Sequence, residues 1–513
     1  FCMTLSGGGK TVAALTTLTV AVHLVTAIIH GGPVAVPDVS AYLSVPQLLA
    51  GGILPQPLHF FPGYGMLLSP VGWTSGSVLH TSALIFNGAL AGCCVLAAAE
   101  LASKLNGPHW LPTCCAAIAA LHPSLSMSSR IAWPETLLTL IVLVAALMLG
   151  RQSWSATGLI VGLAFSVHPR VVVLVFALLV TATLSRRVVA VLRGFIPGLL
   201  LSALAIHLSH SWPWSRVQAV SGNTDGPNQL ETLLGQWTAL VATSFGLAAI
   251  GLIVSLRGIW KQSVPVATTF LGVSAVGMLI LGAVALSGSD RVDTLLYGRY
   301  IGPWVVPLTI VGIAALVHNS VTRSTVLTAL IPTLLSGAVL ILARVDVTQP
   351  ARRIMTLGLG AIWALCGHRF VPTLCCALLM ILLGALLARR LPLVPIALTI
   401  VLAVSSTITN HQYLHGVGEI ADGQVTTAQL VPKTSGCLAH DASTKTYALW
   451  LYRLQLPELQ HRRVNVAGGE KPCSSYVVAD DHVMSTSCPS AQRLGTEPRA
   501  KWAMWYYPPD GCD

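Results

Sequence analysis

Between residues 11 and 408 the chain is a succession of long apolar stretches separated by short charged or prolyl turns. A helix needs about 20 predominantly apolar residues to cross a bilayer, and these stretches recur at close to that length. Only 9% of the 513 residues are charged and 54% are hydrophobic, with a mean hydropathy of +0.73, whereas a soluble domain is about a quarter charged. The chain is therefore an all-α polytopic membrane protein up to residue 410. The apolar runs fall at about 11–30, 80–103, 110–122, 134–150, 153–168, 170–185, 190–208, 236–256, 264–286, 303–317, 325–343, 354–368, 371–388 and 392–408. They predict about 11–14 crossings.

The net charge of +11 does not point to nucleic acid, because Lys and Arg sit in small clusters between spans. Such clusters anchor cytoplasmic turns, and some could face anionic lipid phosphates. Lys10 places the start of the first span inside and makes 11–30 an uncleaved anchor. Lys104, Arg151 and the cluster Arg186, Arg187, Arg193 mark further inner turns. The segments 37–70, 121–135, 168–170, 209–235 and the loop holding Asp290 and Asp293 then face outward, on the plasma-membrane exterior. Strict alternation leaves the C-terminus inside.

Residues 411–513 change character, being rich in polar and aromatic residues, and predict a small α/β domain with a helix in TYALWLYRLQLPEL and a strand at SSYVVA. Cys437, Cys473, Cys488 and Cys512 lie here without CxxC spacing. They predict up to two disulfides and an extracytoplasmic location, which conflicts with strict alternation.

The segment 37–70 spends more than thirty residues on something other than an apolar span, and loops of that length are usually functional. It predicts a membrane-surface helix within Ser40–Leu54, then a proline-rich stretch. It carries Asp38, Tyr42, His59, Phe60, Phe61 and Tyr64. The other ionisable groups on the outward face are His122, Arg130, Glu135, His168, Arg170, Asp290, Asp293 and Arg299, and such groups near membrane depth mark function. Each has a structural alternative. Asp38 could cap a helix, Glu135 after Pro134 suits a helix start, and Arg299 between tyrosines could anchor an interface.

The order of these features resembles the GT-C superfamily of polyprenyl-phosphate-sugar-dependent glycosyltransferases. The resemblance is carried by Asp38 and Tyr42 with LLAGG and FPGYGMLLSP in the first external loop, by Arg130 and Glu135 before a span, and by Tyr297-Gly298-Arg299-Tyr300 at the start of a late span. It implies transfer of a sugar, arabinofuranose or mannose, from a polyprenyl phosphate to an envelope glycan or glycolipid with inversion. Asp38 would be the general base, and Arg299, Arg170 and Arg130 would bind the donor phosphate. Tyr42, His59, Tyr64, Glu135 and Tyr297 would meet the sugar or acceptor. Many relatives pair two acids in this loop, whereas Val39 follows Asp38, so the motif does not support a divalent cation. A transporter or flippase of a lipid-linked or anionic solute is the competing class, but the acids lie in loops and no related halves are evident. A scaffold acting through its tail is a third.

Overall fold

A computed structural model of the chain describes residues 7–29, 37–50, 61–209, 229–260, 265–287, 296–318, 323–342, 400–410, 426–444, 446–497, 502–509 and 511, with isolated positions between 362 and 379. The helices are α1 Gly7–Ile29, α2 Pro37–Leu49, α3 Gly63–Leu67, α4 Gly76–Ser103, α5 Leu111–Leu121, α6 Pro123–Ser128, α7 Glu135–Gly150, α8 Trp154–Ala164, α9 Val172–Leu184 and α10 Val188–Leu208. They continue as α11 Gln229–Thr243, α12 Leu247–Leu256, α13 Val266–Leu286, α14 Gly298–Val317, α15 Arg323–Leu342 and α16 Ile400–Asn410. Among the described residues, α1, α4, α10, α13 and α14 are long and apolar enough to cross a membrane, and shorter apolar helices pack between them. The protein is a polytopic helical membrane protein. The runs expected at 354–368 and 371–388, apart from isolated positions, and the first part of 392–408 lie outside the described residues, as do Asp290 and Asp293.

Close packing without a hydrophobic drive requires small residues at helix crossings. Helices α8 and α10 each contribute a Gly-x-x-x-Gly pair, Gly158 with Gly162 and Gly194 with Gly198. A β-carbon at Gly162 would stand 2.6 Å from the Phe195 carbonyl oxygen, and one at Gly158 would stand 2.3 Å from that of Val191. The Ser202 hydroxyl seals the crossing by donating to the Gly162 carbonyl at 2.8 Å.

Two expectations need correction. The run 236–256 is not one straight helix: α11 and α12 meet at 114°. The break falls at Phe245 and Gly246, both left-handed with φ of 50° and 83°, a conformation that interrupts a right-handed helix and that glycine tolerates best. The helix expected within Ser40–Leu54 forms as Pro37–Leu49, but it does not lie exposed on a membrane surface. Val39, Ser40, Tyr42, Leu43, Ser44, Val45 and Gln47 are all buried, because α3 and the C-terminal domain cover it.

Helix α7 defines two faces. Glu135 is its first residue and Arg151 caps its end, about 24 Å apart at 1.5 Å per residue. At the far end Arg151 meets Glu100 of α4 at 2.9 Å, with Lys104 beside it. The His318 ring after α14 bonds the Leu105 carbonyl at 2.7 Å on this same face. The turn of Arg186 and Arg187 after α9 belongs there too. The near end holds Glu135, Arg170 and Arg299, so α7, α9 and α14 all run from the acid-bearing face to the basic one.

The C-terminal domain is a five-stranded sheet of β1 Cys437–Asp441, β2 Gln460–Val464, β3 Tyr476–Asp480, β4 Gln492–Thr496 and β5 Trp502–Tyr506, in the order β2-β1-β3-β5-β4. β1 is parallel to β2 and β3, while β5 is antiparallel to β3 and β4. Its helices are α17 Thr446–Gln455 and α18 Asp481–Ser487. Cys437 and Cys473 form a disulfide, and Cys488 is also disulfide-bonded. The Asn410 amide at the end of α16 donates to Ser126 at 2.8 Å, and Gln47 of α2 reaches Leu454 of α17 at 3.1 Å. The domain therefore sits on the same face as Asp38.

Candidate active site

Four helix starts converge on one spot, each bringing one charged residue. Asp38 lies in the first turn of α2, and Glu135 opens α7 after Pro134, where a carboxylate favours the helix dipole. Arg170 sits in the short 3-10 turn that leads into α9, and Arg299 is the second residue of α14. Their side chains form an unbroken chain of alternating charge. Arg170 Nη2 donates to Glu135 Oε1 at 2.6 Å, Arg299 Nε donates to that same oxygen, and Arg299 Nη1 donates to Asp38 Oδ2. The two acids balance the two guanidiniums, which is what permits burial of charge at this depth.

Neighbouring groups fix the chain in place. Arg170 also donates through Nη1 to the Arg299 carbonyl at 3.0 Å and through Nε to His168 Nδ1 at 3.1 Å. The Arg299 guanidinium stacks over the Trp133 ring at 4.2 Å, and that of Arg170 lies 4.9 Å from the Tyr300 ring centre. Tyr297 is buried edge-on against Tyr300, with ring centres 5.1 Å apart. The turn carrying Trp133 is held by Asn87 of α4, whose amide donates to the Ile131 and Trp133 carbonyls at 2.7 and 3.2 Å. Tyr64 completes this layer by donating to Asn87 Oδ1 at 3.2 Å.

Exposure separates the roles. The side chains of Glu135, Arg170 and Arg299 are at most 4% exposed, whereas that of Asp38 is 18% exposed. Asp38 is the most exposed of the four. Glu135 Oε2 is buried without a hydrogen-bond partner. Tyr42, one helical turn beyond Asp38, lies within electrostatic reach of all four charges. Burial, and next the Glu135 carboxylate, push its phenol above the usual range, so it remains a neutral donor.

The candidates thus divide. Asp38, Glu135, Arg170, Arg299, Tyr42 and Tyr297 come together. Tyr64 is fully buried behind them, joined through Asn87. Arg130 stands apart on the turn before Trp133. Among the described residues it has no carboxylate partner and its buried Nε has no hydrogen bond. Burial pulls its guanidinium down to about 10, still cationic at neutral pH. His59 lies outside the described residues. Sequence reasoning missed Asn87, although an asparagine in the middle of a 28-residue apolar helix was itself a signal, since an unpaired amide in hydrocarbon is costly.

No protein-family model and no curated protein sequence matches the chain. Solved structures do. The crystal structure of ArnT from Cupriavidus metallidurans in the apo state aligns at TM-score 0.53 and 15% identity, over 96% of this chain and 98% of ArnT. The same protein bound to undecaprenyl phosphate aligns at 0.54 and 14% identity, over 95% and 97%. Arabinofuranosyltransferase AftD from Mycobacteria aligns at only 0.45 and 13% identity, and this chain spans 39% of it, so the fold comparison rests on ArnT. Agreement along nearly the whole of both chains covers the membrane helices and the C-terminal sheet together. The chain shares the fold of ArnT.

Proposed function

We propose that the chain is an integral-membrane glycosyltransferase that moves a sugar from a polyprenyl phosphate to a hydroxyl of an envelope glycan or glycolipid. The observation that carries this reading is the solvent-accessible carboxylate of Asp38 at the end of an otherwise buried, charge-balanced chain. Asp38 accepts the acceptor hydroxyl proton. The acceptor oxygen bonds to the anomeric carbon from the opposite side, the bond from that carbon to the phosphate oxygen breaks, and the phosphate leaves with the electron pair. That displacement inverts the anomeric centre. Glu135 orients Arg299 and Arg170, and Arg299 in turn orients Asp38.

The leaving phosphate needs cationic partners. Arg299 and Arg170 are engaged by carboxylates, so Arg130 is the guanidinium with donors to spare. The dipoles of α7, α9 and α14 add positive ends on this face. The bound undecaprenyl phosphate of ArnT supports a polyprenyl phosphate donor, with the tail lying between helices. The Tyr297–Tyr300 motif favours arabinofuranose or mannose as the sugar. The basic turns on the opposite face and the disulfide-bonded domain on the site's face support an extracytoplasmic site in the plasma membrane.

The test uses the full chain in nanodiscs with radiolabelled polyprenyl phosphate sugar and acceptor glycan. Asp38→Asn is expected to lower turnover about 10²- to 10⁴-fold. Equal transfer by both proteins would remove Asp38 as the base. Solute flux without transfer would favour the transporter reading.

A further inference from the structure

We propose that Gln47 is a positioning residue, through which the C-terminal domain holds the helix that carries Asp38. This rests on the glycosyltransferase reading for its effect on turnover, but the mechanical link stands on contacts alone. Asp38, Tyr42 and Gln47 share α2, with Asp38 at its start and Gln47 in its last turn. The Gln47 amide is 7% exposed and donates from Nε2 to the Leu454 carbonyl at 3.1 Å, across 407 residues of sequence. Leu454 belongs to the last turn of α17, whose carbonyls have no partner inside their own helix. Gln47 therefore satisfies a group that would otherwise be buried unpaired.

The fit around this bond is tight on three sides. A β-carbon at Gly76, the first residue of α4, would stand 2.6 Å from that same Leu454 oxygen. The adjoining Pro46 carbonyl is pressed against Gly72, where a β-carbon would come within 2.0 Å. A β-carbon at Gly65 would stand 2.6 Å from the Tyr42 carbonyl oxygen. The C-terminal half of α2 is thus gripped between the 65–76 segment and α17, while its other end is held by Arg299. Pro46 lies inside the helix just before Gln47 and removes one helix hydrogen bond there, and the stretch from Asp38 to Val45 ahead of it is about 12 Å of helix at 1.5 Å per residue. A loosened grip at Gln47 reaches Asp38 as a change of position, and misplacement of a reacting group by about 1 Å is costly.

Two variants test this in the full-length protein. Gln47→Met keeps the volume and removes the donor, whereas Gln47→Lys restores a donor toward the carbonyl. The expected result is faster amide exchange at residues 38–45 in Gln47→Met, with a smaller change confined to the last turn of α17, whose Leu454 carbonyl loses its partner. Turnover should fall about five- to tenfold, the effect of one hydrogen bond, with the donor KM unaltered, and Gln47→Lys should recover both. Parent-like exchange and turnover in Gln47→Met would overturn the proposal. So would a change confined to KM, equal loosening of α17, or no recovery with lysine. If the parent itself transfers no sugar, the glycosyltransferase reading fails, and the exchange comparison decides the hold on α2.

Discussion

Glu135 and Arg170, 35 residues apart in sequence, meet at 2.6 Å with side chains only 1% and 3% exposed. The carboxylate oxygen that receives Arg170 also receives Arg299. Removing this one acid leaves two buried guanidiniums short of negative charge. Glu135→Ala is therefore expected to destabilise the protein by about 3–5 kcal/mol. Thermal unfolding in detergent checks this, and an unchanged midpoint would contradict a buried pivot at Glu135.

Arg130 and Arg299 should fail in different ways. Arg130→Ala is expected to raise the donor KM about 10- to 100-fold, the loss of charge-assisted hydrogen bonds to phosphate, with little change in thermal midpoint. Arg299→Ala should lower both turnover and the midpoint, since it exposes Asp38 and Glu135 to each other. Titration of donor against each variant, beside a melting curve, separates the two. A normal donor KM in Arg130→Ala would remove that residue from the phosphate.

The crossing of α8 and α10 leaves no room for side chains at its glycines. Gly162→Leu is expected to cost about 1–3 kcal/mol or more from overpacking, with a lower yield of folded protein in detergent. Val189→Leu, on the exposed side of α10, should have no such effect. Equal midpoints for the two would argue against a close crossing.

Acid should weaken the C-terminal domain. His440 Nε2 and His461 Nδ1 lie 3.0 Å apart, and His461 Nε2 lies 2.9 Å from the Leu456 carbonyl. With His461 donating to that carbonyl, its Nδ1 must accept from His440, whose buried Nδ1 then has no partner. Burial, with His461 and Arg463 adding repulsion, pulls His440 well below its ordinary value. Burial, with the Arg453 charge adding to it against the Leu456 bond, lowers His461 from 6.5 to about 4. A histidine pKa lower in the folded than the unfolded state favours folding above pH 6.5. That contribution is lost as the pH falls from 6.5 toward 4. Unfolding of the full protein, followed by tryptophan fluorescence between pH 7 and 4, should show the domain melting earlier in acid, and His461→Gln should flatten the dependence.

Charge and span length made the membrane part legible. Basic turns at Lys104, Arg151 and Arg186 lie on one face and Glu135, Arg170 and Arg299 on the other, as the alternation of runs implied. What brought the four charged residues into one list was their cost at membrane depth. What no spacing contained was their order in space, because Asp38 and Arg299 are joined only by tertiary packing. The bend at Phe245 and Gly246 was invisible because an apolar run reads alike whether straight or broken. In the tail, the strand at Tyr476–Asp480 was readable from its apolar run. β2 and β4, edge strands reading QHRRV and QRLGT, carry no alternation and owe their form to their neighbours.

The charge balance of the Asp38–Arg299–Glu135–Arg170 chain bears on how substrate finds the site. Two carboxylates and two guanidiniums within a few ångströms cancel beyond that distance, so the quartet casts no long-range field. On the proposed function, a lipid-bound donor would reach it by lateral search within the bilayer, captured by its hydrocarbon tail, with the quartet adding no long-range pull. The encounter rate should depend on the donor's mole fraction in the membrane, and its dependence on ionic strength should come from Arg130 rather than from the quartet.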